Sequence, residues 1–192
     1  MDPLAAIIVI YIRIFIHLKI NNMQQLKNKE ALGVIISRMQ VPVLTEAHKA
    51  LINTALERHN RILILLGCTG AVIDEKNPYP YEFRKQMIEQ SFPNSKITFA
   101  PLPDVKGQDV LWVKLVDYMV ETQLNKNEDA VLYGGRDSFI PLYINGKYAC
   151  VELSAVENDS GTKLRSEAIK DVPKYTPEVA NAILWAVNQI IK

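Results

Sequence analysis

Cysteine is scarce: the 192 residues hold two, Cys68 and Cys150, and neither belongs to a C-x-x-C or a Cys/His metal pattern. That excludes a disulfide framework, makes a reducing cytoplasm the expected compartment, and leaves both thiols as small buried apolar groups. Net charge is scarce as well. With 22 Lys plus Arg against 21 Asp plus Glu, no global field draws the chain onto nucleic acid or an anionic membrane, so an anionic ligand needs a local site. Neither G-x-G-x-x-G nor G-x-x-x-x-G-K-[ST] occurs, which removes the dinucleotide fingerprint and the P-loop. There is no internal repeat, low-complexity tract or long linker.

A long uninterrupted apolar run is also missing. The nearest is LAAIIVIYIRIFIHLKI, residues 4 to 20, which Arg13, His17 and Lys19 break, whereas a bilayer span needs about 20 predominantly apolar residues. Asp2 stands where a signal peptide is basic, and no small-residue cleavage site precedes NNMQQLKNKE. Alternation from Ile10 to Ile20 has the period of a half-buried strand. A start at Met23 would instead make residues 1 to 22 an upstream appendage, and a membrane-surface anchor is a third reading. The expected division is an N-terminal apolar extension over 1–31 and a single domain over 32–192.

What the chain does have is core-forming sequence: 48% hydrophobic residues suffice for one compact domain of this length. Apolar runs of strand length, LGVIIS (32 to 37), RILILLG (61 to 67), KITFAPL (96 to 102), AVLYG (130 to 134) and KYACVEL (147 to 153), alternate with helix-compatible stretches. Those stretches begin at Glu46, Tyr81, Val110, Thr162 and Pro177, the last set apart from the body by segment 171 to 177. Apolar strands separated by helices predict a five-stranded parallel sheet covered on both faces, a doubly wound, Rossmann-like α/β/α sandwich with a C-terminal helix. In such sheets chemistry gathers beyond the carboxyl ends of the strands, in the loops after Ser37, Gly67, Leu102, Gly134 and Leu153.

Two of those loops lead into helices that could hold phosphate. In RMQVPVLTEAHKALI, residues 38 to 52, Thr45 and Glu46 cap and charge a helix start, and His48 lies within its first turn. A lone histidine there is also an ordinary surface or capping residue. In DSGTKLRSEAIK, residues 159 to 170, Lys163 and Arg165 lie in a first turn, where cations oppose the helix dipole unless an anion is near. Ser160, Thr162 and Arg165 could then hold a triphosphate; a plain capped helix with solvated cations is the competing reading.

Together these segments resemble the nucleotidylyltransferases with H-x-G-H and [ST]-x-T-x-x-R motifs, and among them the nicotinamide-mononucleotide (NMN) adenylyltransferases of the archaeal, phage and Nudix-fused type. The resemblance covers roughly residues 33 to 172 in four motifs that keep the family's order: SRMQVPVLTEAH, KNPYPYEFRKQMI, VLWVKLV and SGTKLR. No Nudix box occurs.

The resemblance implies transfer of AMP from ATP to the mononucleotide, with Mg²⁺ carried by the ATP phosphates and no protein metal ligand. It implies catalytic roles for His48 and Arg165, with Thr45 in the place of the first motif histidine. Around ATP it puts Ser37, Arg38, Met39, Gln40, His48, Ser160, Thr162 and Arg165, with Arg136 and Asp137 after the fourth strand, where a Gly-Gly turn is the competing reading. Around the mononucleotide it puts Lys76, Asn77 and Trp112, the last also readable as a core aromatic. Partners would be these two small molecules, neither nucleic acid nor membrane, with a homo-oligomer possible. Ala47 for the motif glycine, Ser37 for the glycine before Arg38 and an extra Val41 depart from the pattern. Another acceptor, a cytidylyl donor, or a nucleotide-binding protein without catalysis are the alternatives. Arg84 reads as a helix-surface or packing residue rather than a direct ligand, and Asp104 as a turn residue, with a place facing the substrate as its alternative. Tyr79, Tyr81 and Trp185 read as packing, and KNKE and NKNED as solvated loops.

Overall fold

The structure, a computed structural model, describes residues 31–69, 73–93, 95–136, 138–154 and 160–190. The readings of residues 1 to 22, the KNKE loop and Asp137 lie outside them. From Leu32 the elements run β1 (Leu32–Ser37), α1 (Glu46–Arg58), β2 (Ile62–Cys68), α2 (Tyr81–Ser91), β3 (Ile97–Pro103), α3 (Asp109–Glu121), β4 (Ala130–Gly134), β5 (Ala149–Glu152), α4 (Gly161–Lys170) and α5 (Pro177–Ile190). The strands form one parallel sheet in the order β3-β2-β1-β4-β5. The chain builds outward through β2 and β3, then returns to the other side of β1, so β1 and β4 flank the point where the winding reverses.

Alternation along the strands sorts the core into two layers. Val34, Leu63, Leu65 and Leu132 face α3 through Val113, Val116 and Val120. Ile35, Ile62, Ile64 and Val131 face α1 and α2 through Leu51, Ile52, Ala55, Met87 and Ile88. Each fully buried aliphatic side chain contributes about 1.5–3 kcal/mol of transfer free energy, so the central strands are apolar on both faces. A third cluster of Tyr79, Ala168, Ile183 and Ala186 ties α5 to α4 and to the start of α2, so the last helix is packed onto the body. Among the described residues, no helix is long and apolar enough to cross a membrane.

Three local expectations need correction. Glu128 of NKNED is not solvated: its side chain is 6% exposed, pairs with the Arg61 guanidinium and takes the Asn125 N–H at 2.7 Å. Trp185 is 41% exposed, since the packed face of α5 is the one carrying Ile183 and Ala186. The thiols of Cys68 and Cys150 are half-buried, and burial pushes the Cys150 thiol up to about 11.

His59 follows α1 at 3% exposure. Its Nδ1 lies 2.8 Å from the Ala31 carbonyl, which can only accept, so Nδ1 carries the proton and Nε2 accepts from the Tyr133 hydroxyl at 2.7 Å. Burial, with help from Arg58 and against the Ala31 bond, holds the imidazole below its ordinary value of 6.5. The unfolded chain therefore binds this proton more readily, so the stabilisation is complete above pH 6.5 and is lost as pH falls through the lowered folded value. Thermal midpoints measured from pH 8 to 5 are expected to fall in that window, and His59→Gln is expected to flatten this part of the profile.

Candidate functional site

Beyond the carboxyl ends of β1, β2 and β4 lies an open cleft of about 860 Å³, at the position the winding reversal dictates. The β1 strand ends at Ser37, and the chain turns sharply through Arg38, Met39 and Gln40. Met39 adopts φ 44°, a left-handed conformation costing a side-chain-bearing residue about 1–3 kcal/mol, and its side chain is buried at 2% exposure. Gln40 is buried as well. Its amide pairs with both backbone groups of Tyr79: Nε2 donates to Tyr79 O at 3.2 Å and Oε1 accepts from Tyr79 N at 2.9 Å. All four of these residues line the cleft.

The first helix start is organised around Thr45 and His48. Thr45 is the N-cap of α1, its hydroxyl accepting from His48 N at 3.4 Å, while the His48 side chain returns to Thr45 N at 3.3 Å in a capping box. Because Nδ1 accepts from that backbone N–H, the proton of the neutral ring lies on Nε2. Thr45 Oγ1 also lies 2.9 Å from Nδ1. Both side chains border the cleft, as does Ala47.

The second helix start faces the first. Ser160 caps α4, accepting from Lys163 N at 3.3 Å, and Thr162 and Arg165 project into the same cleft. Arg165 donates through Nη2 to Thr162 Oγ1 at 3.0 Å and through Nη1 to the Gln40 carbonyl at 2.8 Å, a contact between residues 125 apart. The two loops singled out in the sequence are thus bonded to each other. Burial lowers the Arg165 guanidinium from its ordinary value, and Tyr79 opposes that shift.

Arg38 crosses the end of β2, where a Cβ on Gly67 would lie 3.0 Å from Arg38 Cγ. Only glycine leaves that approach unhindered. The guanidinium pairs with Asp104 Oδ2 at 2.9 Å and reaches Asn77 Oδ1 at 3.4 Å. Asp104 is therefore a cleft residue bonded to a cleft cation, not only part of a turn. Asn77 is buried at 7% exposure, but Asp74 Oδ1 occupies its Nδ2 at 3.0 Å and its backbone N–H at 2.7 Å, which ties it to the turn more than to the cleft. Lys76 lines the opening, and so does the exposed Arg136. Trp112 packs on the core yet borders the cleft, its ring 6.1 Å from that of Phe139 at 50°. Trp112 is thus a core aromatic that also borders the cleft.

Sequence reasoning missed Phe139, the Gln40 side-chain pairing and, above all, Arg84. Arg84 is 2% exposed, so of its two readings, helix surface and packing, burial leaves the packing one, while its hydrogen bonds into the turn after β1 went unforeseen. The available signal was helical: Arg84 shares its spacing with Met87 and Ile88, both buried. Among the described residues, no group of three or more His, Cys, Asp or Glu side chains is placed to hold a metal ion.

No family model matches the chain. Its fold is similar to that of two solved structures of a bifunctional NMN adenylyltransferase/ADP ribose pyrophosphatase from Francisella tularensis. The first matches at 23% identity with a TM-score of 0.63. The second, complexed with AMP and Mn ion, matches at 23% identity with a TM-score of 0.62. Each match covers 73% of this chain but 42% of the other, so the chain spans about two fifths of the length of these relatives. Likeness at this identity establishes the Rossmann-like α/β architecture that the strand and helix pattern predicts.

Proposed function

We propose that the cleft transfers a nucleotidyl group, and specifically that it moves AMP from ATP to the 5′-phosphate of nicotinamide mononucleotide, giving NAD and pyrophosphate. The observation that carries this reading is the Arg165 to Gln40 bond, which ties the start of α4 to the turn leading into α1, two segments that line one cleft. Adenylyltransferase activity in the name of the similar structures, and AMP in one of them, support the choice of donor.

The reaction asks little covalent chemistry of the protein. An ionised acceptor phosphate oxygen attacks the α-phosphorus, a new P–O bond forms, and the bond from the α-phosphorus to its bridging oxygen breaks as pyrophosphate leaves. No base is needed, so catalysis reduces to alignment and charge stabilisation. In this reading His48 Nε2 and the Arg165 guanidinium meet the β- and γ-phosphates, and the capped amides of α1 and α4 add dipolar support. Mg²⁺, carried by the ATP phosphates, would supply further charge neutralisation. On the acceptor side, Lys76 offers a cation to the mononucleotide phosphate, Asn77 borders it, and the Trp112 face offers a surface for a cationic pyridinium ring.

Incubation with ATP, Mg²⁺ and nicotinamide mononucleotide is expected to yield NAD and pyrophosphate in equal amounts. Pyrophosphate release with pantetheine phosphate or from CTP, but not with these substrates, would move the chain to another acceptor or donor. Tight ATP binding with no transfer to any acceptor would mark a nucleotide-binding protein in which Thr45 has not replaced the lost imidazole.

A further inference from the structure

The mechanism above makes no use of Arg84, the one fully buried cation among the described residues. A guanidinium taken out of water needs its donors satisfied, and a helix that only had to pack would do as well with an apolar residue between Met87 and Ile88 on one side and β2 on the other. The partners of Arg84 are informative. Nε donates to Tyr79 O at 3.0 Å, Nη1 to Arg38 O at 2.6 Å and to Gly67 O at 3.1 Å, and Nη2 approaches Cys68 Sγ at 3.6 Å. None is a carboxylate.

These acceptors belong to three separate segments: the turn after β1, the end of β2, and the approach to α2. The turn after β1 is the one with the strained residue, Met39 at φ 44°. Its two neighbours are held from the same side, Arg38 through its carbonyl by Arg84 and Gln40 through its side chain by Tyr79, whose carbonyl also takes Arg84 Nε. The carbonyl of Gln40 then receives Arg165. A chain of bonded residues therefore runs from Arg84 directly to the Arg38 backbone and, through Tyr79 and Gln40, to Arg165.

We propose that Arg84 is a positioning residue for the nucleotide site: its guanidinium clamps the Arg38–Gln40 turn against β2 and Tyr79, and so fixes where Arg38 and Arg165 present their charges. The clamp follows from geometry, while its effect on ATP rests on the function proposed above.

The test separates the two. In Arg84→Met and Arg84→Lys proteins, the Arg38 and Arg165 side-chain Nε–H resonances are read by NMR without ligand, and ATP affinity is read by calorimetry. Lysine keeps a cation in the pocket and serves if the methionine variant fails to fold, yet one ammonium cannot reach three carbonyls at once. The expected result is that both arginine signals move or broaden. ATP affinity is expected to fall about tenfold, the scale of coupling within one hydrogen-bonded network, and Arg38→Ala is expected to cost less in the Arg84→Lys background than alone. Unchanged arginine resonances in Arg84→Lys, with only a lower melting temperature, would overturn the proposal and leave Arg84 a packing residue. Shifted resonances in a chain whose wild type binds no ATP would uphold the clamp and remove the proposed function.

Discussion

Replacing Arg165 with alanine is expected to lower the turnover of ATP and nicotinamide mononucleotide by about 10²–10³-fold, the scale seen when one donor to developing transition-state charge is removed. Two losses combine in that variant. The cation that faces the phosphates disappears, and the Gln40 carbonyl and Thr162 hydroxyl lose their shared donor. The second loss costs stability of about 1 kcal/mol, the net worth of such a bond, and so cannot account for a rate effect of that size. Arg165→Lys distinguishes them further: it keeps the charge but not the fork that spans a phosphate and the Gln40 carbonyl together, so it should recover only part of the rate. Steady-state kinetics beside a thermal melt checks the prediction. Wild-type turnover in Arg165→Ala would remove the SGTKLR segment from the mechanism.

The parts of this molecule that could be read from the sequence are those set by local pattern. β1, β2, β3 and β4 start and stop within one residue of their apolar runs because each run is bounded by a polar or turn residue. β5 is shorter than KYACVEL, since Lys147 and Tyr148 belong to the turn, where Lys147 N reaches Asp117 Oδ1 at 3.2 Å. Helix α3 stops at Glu121, and Arg61 reaches across to Gln123 O beyond it, a contact no local window contains. The site divides along the same line. Its two helix starts carry cap residues, and the second carries dipole-opposing cations, that announce themselves at short range. The Arg84 to Arg38 bond, the Gln40 to Tyr79 pairing and the Arg38 to Asp104 bond each join residues at least 39 apart. Arg84 in particular lies between Glu82 and Lys85, a run that reads as solvated until its helical partners Met87 and Ile88 are considered.

His48→Ala is the second large expectation, a loss of about 10²–10³-fold in turnover, and the capping box makes it testable against a closely matched control. His48 does two things at once: Nδ1 closes the box on Thr45 N, and the ring carries an Nε2 donor at the cleft. Alanine removes both, with about 1 kcal/mol or less of helix stability attached to the cap. Glutamine at the same position is a preferred capping-box residue, so His48→Gln should melt near the wild type while lacking the imidazole Nε2–H at the cleft. If the ring donor matters, His48→Gln stays slow despite its intact cap. If the ring serves only to start the helix, His48→Gln recovers and His48→Ala does not. Thr45→Ala completes the comparison. Its hydroxyl is 2.9 Å from Nδ1 and occupied with the cap, which in the proposed mechanism lets it orient the His48 ring. The expected rate loss for Thr45→Ala is accordingly smaller than for His48→Ala, and adding it to His48→Ala should cost little more, because the group it orients is already gone.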